Sequence, residues 1–433
     1  MRAINPNLGD PFEIDPQRVK AAGIEKISGP HLDLYTDVRD PRRMVELVNV
    51  FNQSIRQWCE YFDVDVAKTK KWKMRAFLIA DPKQPDRFRQ AGLLPADLPD
   101  FRAGFQRRHD LWLYLQPGNY YTRHLLIHEG THGFMEWFLG GYGAPWYSEG
   151  IAELFGVHRW NDQQLQLKYR LRDRREADYW GRVKRVKVDC AGGQAMSLTD
   201  VLNIPPAAFL EVRYYAWSWA GCEFFGKHEK TKQAFAKLRK MAAINPTKFN
   251  QQFIREIRPH WDQLERDWEL FLAEMEYGYE VQRGQLTEAK VVDIPSTTSQ
   301  SKFQIRSERS WQITSIQVSQ GDRFRISGAG EFQVGASKTN AETKAQPWPC
   351  QSNGITIEYY DGCPLGMLLA GVLADQATGP KAQISGLLEP FPVGSQSEIL
   401  IAQDGVLCLR INESPAKLDD NSGALEVTVE KLK

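Results

Sequence analysis

The sequence has few cysteines and little net charge, and both deficits restrict what the protein can be. Only six of its 433 residues are cysteines, and they are widely separated with no CxxC pair. This pattern argues against a thiolate metal site and a dense disulfide framework, but leaves room for one or two bridges. The formal charge of +1 gives no general attraction for polyanions, so we predict no nucleic-acid partner.

Long hydrophobic runs are also absent. No segment approaches the uncharged length that a membrane span needs, so we predict no membrane span. The first residues, MRAINPNLGDPFEIDPQRV, have no apolar core of the kind that a secretory signal contains. A chain whose signal had been removed would look the same, and these residues therefore do not decide the location of the protein.

Length and periodicity predict at least two domains and an α+β fold. A chain of 433 residues exceeds what one hydrophobic core usually serves. Strand-like runs and helical periodicity fill the chain to about residue 280, and short alternating runs rich in Ser, Thr, Val and Ile follow. We predict an N-terminal extension over 1–29, a first domain over 30–285, a linker over 286–306 around IPSTTSQSK, and an all-β domain over 307–433.

Local patterns predict the elements around the main motif. Apolar runs at Met74–Ala80 and Leu111–Leu115 read as strands, and helices are predicted over 120–139 and 146–158. Residues 209–277 are predicted to be helical almost throughout. The basic stretch 167–187 mixes charges with aromatics and is interpreted as a solvated helix-and-loop insertion, with a nucleic-acid surface as the lesser alternative.

The most informative motif is HEGTH, at residues 128–132, inside a predicted helix. Residues four apart project from the same helix face, so His128 and His132 can reach one metal ion. Glu129 lies close enough to contact a water on that ion and is the predicted general base. The motif thus predicts a zinc hydrolase.

A catalytic zinc site needs a third protein ligand, and the next helix offers one. Glu149 follows His132 by seventeen positions across a glycine-rich turn and is the predicted third ligand. Glu153 lies one turn further on, where it could accept a hydrogen bond from a ligating histidine. The alternative for Glu153 is a solvated helix carboxylate. His124, one turn before the motif, is predicted to be a structural residue rather than a ligand.

The HExxH helix followed by the sequence WYSEGIAE resembles the gluzincin metallopeptidases over residues 30–280. The resemblance implies a domain with a small mixed sheet, two active-site helices and a helical C-terminal half. It implies zinc as cofactor and a protein or peptide substrate, with LWLYL as the edge strand that pairs with an extended peptide. No GAMEN-type motif is present, so the resemblance points to an endopeptidase rather than an aminopeptidase.

The same resemblance suggests Tyr215 as the donor that stabilises the developing oxyanion, because YYAWS matches a Y-x-x-S pattern in similar proteins. The alternative is that Tyr215 is an ordinary core aromatic.

The C-terminal domain resembles the PA-IL-like galactophilic lectins, through residues 354–366 and through LRINE leading to DDNSG. The resemblance implies a β-sandwich in which Glu413, Asp420 and Asn421 bind calcium, and the calcium in turn binds a glycan. The family's sugar-contacting histidine is missing, since Cys350 and Asn353 stand ahead of Gly354. The alternative is that DDNSG is simply a turn.

Three functions remain open from the sequence. The first is a zinc endopeptidase whose β domain binds calcium or a glycan. The second is a catalytically silent binding protein that recognises carbohydrate or protein through its β domain. The third is a zinc hydrolase that acts on a bond other than a peptide bond. Because lectin-like accessory domains usually occur in exported proteins, the resemblance favours a secreted or extracytoplasmic location.

Overall fold

The computed structural model describes residues 9–293, 300–336, 347–375 and 379–433. It is an α+β protein that divides into two compact units. The first contains the chain up to Gly226 together with Thr231–Arg258, and the second contains Lys227–Lys230 and Pro259–Lys433. Among the described residues, no helix has both the length and the apolar character needed to cross a bilayer.

The first unit is built from ten helices and seven strands in its described part. The helices are α1 (Pro16–Ala21), α2 (Pro41–Phe62), α3 (Asp86–Gln90), α4 (Asn119–Leu139), α5 (Pro145–Gly156), α6 (Arg182–Ala191), α7 (Leu198–Leu202), α8 (Val212–Lys227), α9 (Lys232–Leu238) and α10 (Pro246–Ile257). The strands are β1 (Glu25–Ser28), β2 (Leu32–Thr36), β3 (Met74–Ile79), β4 (Gly104–Arg107), β5 (Asp110–Tyr114), β6 (His158–Trp160) and β7 (Leu165–Leu167).

The main sheet of this unit has the order β1-β2-β3-β5-β4. Strands β2, β3 and β5 are parallel, whereas β1 and β4 join antiparallel at the two edges. The prediction that LWLYL lies at the edge of the sheet is therefore wrong. This segment forms the interior strand β5, and β4 is the edge strand. The chain reverses at Arg108, whose φ is 56°, so that residues 104–107 pair with 110–113. Strand β4 was missed because GFQR is short and half polar.

Helix α4, which carries the HEGTH motif, runs through the middle of the unit. Fifteen of its 21 residues are buried, so it has no solvent-facing stripe of the kind a surface helix shows. Gly130 allows α2 to approach closely, because a Cβ on this residue would lie 2.8 Å from both Phe51 and Trp58. The motif is thus held on a helix that neighbouring elements fix on several sides.

The basic stretch 167–187 is a loop followed by the start of a helix, and most of its charged side chains are exposed, as predicted, but buried residues anchor it in the first unit. Leu171, Trp180, Val183 and Val186 are buried, and so is the charged residue Arg182. The stretch packs into the first unit and starts α6 at Arg182. The high density of arginine and lysine concealed the spacing of the apolar residues that anchor it.

The second unit contains a β-sandwich. Its helices are α11 (Trp261–Glu274), α12 (Val281–Gly284), α13 (Pro380–Gln383) and α14 (Ser385–Leu388). Its strands are β8 (Thr287–Glu288), β9 (Lys290–Asp293), β10 (Gln300–Arg306), β11 (Gln312–Val318), β12 (Arg323–Ala329), β13 (Phe332–Ala336), β14 (Pro347–Cys350), β15 (Asn353–Tyr360), β16 (Cys363–Ala374), β17 (Phe391–Pro392), β18 (Gln396–Leu400), β19 (Gly405–Ile411) and β20 (Ala424–Lys431).

Two mostly antiparallel sheets form this sandwich. One has the order β18-β12-β20-β10-β9, and the other has the order β15-β16-β19-β11-β8 with β17 beside β16. Their inner faces share one apolar core, which includes Phe303, Ile326, Val427, Leu368 and Leu409. Alternating burial along the strands produces this core, as the sequence pattern predicted.

The division of the chain differs from the predicted boundaries in three respects. Strand β1 (Glu25–Ser28), within the predicted extension 1–29, belongs to the main sheet of the first unit. Residues 287–288, 290–293 and 300–306 of the predicted linker lie in strands, and Phe303 of β10 is fully buried; residues 294–299 lie outside the described part. Helix α11, assigned to the first domain from the sequence, packs Leu270 against Trp311 and Leu369 of the second unit. All six cysteines are described and none forms a disulfide, so the one or two bridges considered from the sequence are not present.

Candidate metal centre

Three side chains of helices α4 and α5 converge on one point. The His128 Nε2 atom lies 3.2 Å from His132 Nε2 and 3.2 Å from Glu149 Oε2, and the His132 Nε2 atom lies 3.3 Å from the same carboxylate oxygen. Ligand atoms at the corners of a tetrahedral zinc site with bonds of about 2.0–2.1 Å are about 3.3–3.4 Å apart. The three donors therefore fit zinc in both chemistry and spacing.

The positions of these donors follow from the periodicity of helix α4 and from the turn that connects it to helix α5. His128 and His132 are four residues apart and so project from the same face of α4. Gly140 ends the helix with a left-handed backbone (φ 73°), and α5 begins at Pro145, whose restricted φ suits a first helical position. The turn between the two helices brings Glu149 back to the histidines of α4.

The electrostatics of the centre favour a cation. Burial lowers the pKa of His128, but its contacts with Glu149 and Glu153 outweigh this and hold the pKa well above the usual histidine value. Burial raises the pKa of Glu149, but the adjacent His132 and His128 lower it to about 2. The carboxylates of Glu149 and Glu153 supply the negative potential that a divalent cation requires, and such a cation would replace the proton that they stabilise on His128.

Glu129 is buried beside the donors and faces the edge strand β4. A Cβ on Gly104 of this strand would lie 2.6 Å from Glu129 Oε1, so the strand backbone passes directly along the carboxylate. Burial raises the pKa of Glu129, the two motif histidines lower it, and Glu149 and Glu153 raise it, with a net increase. A carboxylate whose pKa is raised toward neutrality is a stronger base than an exposed glutamate.

The outer nitrogen of His132 is within hydrogen-bond distance of a side chain, and that of His128 is within ion-pair distance of one. His132 Nδ1 lies 3.3 Å from the Ser148 hydroxyl, and His128 Nδ1 lies 3.5 Å from Glu153 Oε1. Such partners fix the ring orientation and leave Nε2 for the metal. Glu153 therefore lies on the outer side of His128, and Ser148 lies on the outer side of His132. Ser148 was not selected from the sequence, because serine occurs in many structural positions.

Glu153 is buried and paired rather than solvated. Its carboxylate accepts two hydrogen bonds from Arg182, at 2.9 and 2.8 Å. His124, which is also buried, places Nε2 at 3.4 Å from the same carboxylate. His124, His128 and Glu153 form a second group with metal-ligand spacing, but the guanidinium of Arg182 already neutralises the carboxylate of that group.

Two tyrosines flank the histidines. The ring of Tyr215, in the first turn of α8, lies 6.0 Å from that of His128, and burial raises its pKa so that the hydroxyl remains protonated as a donor. The ring of Tyr142 lies 6.0 Å from that of His132, and its hydroxyl donates to Gln106 of β4 at 3.0 Å. Tyr142 was not selected from the sequence, where nothing but its place in the glycine-rich turn marks it.

The predicted calcium ligands of the second unit lie near each other, but they differ in exposure and in hydrogen bonding. Asn421 is buried, donates from Nδ2 to the Ser307 carbonyl at 3.0 Å and accepts from the Gly335 amide at 3.1 Å. Asp420 is exposed. Glu413 is 1 % exposed, and its Oε2 atom has no hydrogen-bond partner among the described residues. Burial raises the Glu413 pKa to about 7, with Asn421 opposing the shift.

Comparison with known proteins gives little guidance. No protein family matches the chain, and no curated protein matches it. One similar solved structure, the EclA N-terminal domain, a PllA-like lectin, is 16% identical and covers 30% of this chain and 95% of its own, with a TM-score of 0.21. Another, Aeromonas hydrophila PliG, a periplasmic inhibitor of g-type lysozyme, is 11% identical and covers 34% and 97%, with a TM-score of 0.20. Similarities at this level do not establish a shared fold.

Proposed function

We propose that the protein is a zinc-dependent metallopeptidase of the gluzincin type, and that it acts as an endopeptidase. The observation that carries the proposal is the triangle of His128, His132 and Glu149 donor atoms, with edges of 3.2–3.3 Å, next to the buried carboxylate of Glu129. A catalytic zinc site has three protein ligands and an open fourth position, whereas a structural site has four protein ligands. Three donors with a neighbouring base therefore favour a catalytic site.

The roles of the residues follow from their positions. When bound, zinc supplies a Lewis acid that polarises a carbonyl group and lowers the pKa of a water molecule. Glu129 accepts the proton of the attacking water and passes it to the leaving amine. Tyr215, which keeps its hydroxyl proton, is positioned beside His128 to donate to the oxygen on which negative charge develops.

The edge strand β4 supports a peptide substrate over other hydrolysable molecules. In the part of the chain that the structure describes, β4 pairs with β5 on one side and with no strand on the other. An extended peptide can add to such an edge through main-chain hydrogen bonds. Because Gly104 contacts Glu129, a peptide bound along β4 would pass the proposed base.

For the second unit we propose a calcium site at Glu413, with Asp420 and Asn421 as the further ligands. The unpartnered, buried Oε2 atom of Glu413 supports this proposal, since a buried carboxylate oxygen is stable only when it is bonded or neutralised. Glycan binding at this site stays a prediction from the lectin resemblance.

The first test measures metal content and proteolysis on the same samples. We expect about one zinc per chain in the wild type, retention of zinc in Glu129→Gln and loss of zinc in His132→Ala, with hydrolysis of a casein-type substrate lost in both variants. His109→Ala, a half-buried histidine outside the donor set, is the matched control and should keep both properties.

Two results would contradict the proposal. A wild-type protein that takes up no zinc during reconstitution rules out the assigned centre. Stoichiometric zinc without hydrolysis of casein or of a broad peptide library rules out the endopeptidase and favours the binding protein or a hydrolase acting on another bond.

A further inference from the structure

We propose that Arg182 is a positioning residue of the metal centre. It holds Glu153 in the orientation that directs His128 toward the metal, and in this way it sets the affinity for zinc. The inference rests on the proposed function, because it concerns the same centre. It gives a role to the basic stretch 167–187, which lies outside the two metal-binding helices.

The contact between Arg182 and Glu153 has the geometry of a strong, directional ion pair. Nε donates to Oε2 at 2.9 Å and Nη2 donates to Oε1 at 2.8 Å, so both carboxylate oxygens are engaged at once. The Trp180 indole adds a donor to Oε2 at 3.4 Å. The side chains of Arg182 and Glu153 are only 7% and 2% exposed, so water does not compete for these bonds.

This pairing fixes the face that Glu153 presents to the histidines. Its Oε1 atom lies 3.5 Å from His128 Nδ1, and its Oε2 atom lies 3.4 Å from His124 Nε2. Because Arg182 donates to both oxygens, the carboxylate cannot rotate away from His128 without breaking two charged hydrogen bonds. The negative charge of Glu153 thus stays within ion-pair distance of Nδ1 of His128, while Nε2 of the same ring faces His132 and Glu149.

Arg182 also contacts two other sides of the centre. Its Nη2 atom lies 3.4 Å from the hydroxyl of Tyr121, on α4, and its guanidinium lies 5.9 Å from the ring of Tyr215, on α8. A planar guanidinium with several donors can make these contacts together, whereas a lysine ammonium cannot. The contacts indicate that the role of Arg182 depends on its shape as well as its charge.

The alternative is that Arg182 only compensates a buried charge and stabilises the fold. Zinc affinity distinguishes the two roles, because a purely structural residue does not change the dissociation constant of a folded protein. We would measure zinc dissociation constants by competition with a chelator for wild type, Arg182→Met, Arg182→Lys and Glu153→Gln, with the melting temperature of each apo protein recorded in parallel.

We expect Glu153→Gln to weaken zinc binding by about 10- to 100-fold, which is the usual effect of removing an outer partner of a metal ligand, and Arg182→Met, which acts through Glu153, to weaken it by about 10-fold. Arg182→Lys keeps the charge and should fold, but it should still weaken binding measurably. If Arg182 acts through Glu153, the double variant Arg182→Met/Glu153→Gln should bind zinc no more weakly than Glu153→Gln alone.

The matched control is Arg185→Met, one turn along the same helix. Arg185 also forms an ion pair, with Asp189 at 3.0 Å, but its side chain is 43% exposed. This control should bind zinc as the wild type does.

Wild-type affinity in a folded Arg182→Lys or Arg182→Met protein would overturn the inference, as would fully additive losses in the double variant. Absence of zinc from the wild type would instead contradict the proposed function, so the two failures are distinguishable.

Discussion

Replacing Gly104 with alanine should impair catalysis while leaving the metal and the fold in place. A Cβ at this position would lie 2.6 Å from Oε1, 2.9 Å from Cγ and 3.1 Å from Cδ of Glu129. No backbone atom is among these neighbours. The end of a flexible side chain can move aside, so the strain should be relieved by a shift of the carboxylate rather than by unfolding.

The size of the effect follows from the displacement. Ordinary contact begins at 3.4 Å and the distance available is 2.6 Å, so the carboxylate must retreat by 3.4 − 2.6 = 0.8 Å. A misplacement of about 1 Å at a reacting group can reduce the rate by about 10²-fold. We therefore expect kcat/KM to fall by about 30- to 100-fold, with a loss in the free energy of unfolding of no more than about 1 kcal/mol.

The assay compares Gly104→Ala with Gly181→Ala, since a Cβ on Gly181 would meet no atom within 4 Å. Hydrolysis of quenched fluorescent peptides, zinc content and thermal unfolding would be measured for both variants. Unchanged kcat/KM in a zinc-loaded Gly104→Ala protein would refute the placement of Glu129 as the base beside β4. Loss of zinc from this variant would show that the alanine disturbs the ligands rather than the base.

Two further predictions concern pH. Because burial raises the pKa of Glu129 in the metal-free centre, its carboxylate should protonate at a pH above the usual glutamate value of about 4.3 in zinc-free protein, as NMR titration would show, and bound zinc should lower that pH; the same titration with and without zinc is the check. Burial raises the Glu413 pKa from 4.5 to about 7, so stability that is present below pH 4.5 is lost as the pH rises through 7. Glu413→Gln should therefore increase the free energy of unfolding at pH 8 by about 2–3 kcal/mol and change it little at pH 4.5, as urea titration would show. Added calcium should stabilise the wild type at pH 8 and not this variant; equal responses would contradict the calcium site.

The parts of the centre that the sequence predicted are those governed by short-range geometry. His128 and His132 share a helix face whatever surrounds them, and Glu149 needed only a turn marked by glycines and Pro145. The α+β class was likewise predicted from the change in periodicity near residue 290, which reflects local side-chain spacing.

What the sequence did not predict depends on contacts between distant segments. Arg182 and Glu153 are 29 residues apart, and an arginine in a basic run is usually solvated. Strand β4 is only four residues long and becomes recognisable through its pairing with β5. The burial of Phe303 likewise depends on strands that follow it by more than a hundred residues, including its partner Val427.

The closeness of the metal donors along the chain has a consequence for how the protein acquires its ion. All three lie between His128 and Glu149, and closing so short a loop costs little conformational entropy. Arg182, Gly104 and Tyr215 lie outside this segment and reach the centre only as the rest of the unit assembles. We therefore expect a partly folded chain to capture zinc weakly and to retain it firmly only after Arg182 has packed against Glu153, so that metal uptake and the late steps of folding proceed together.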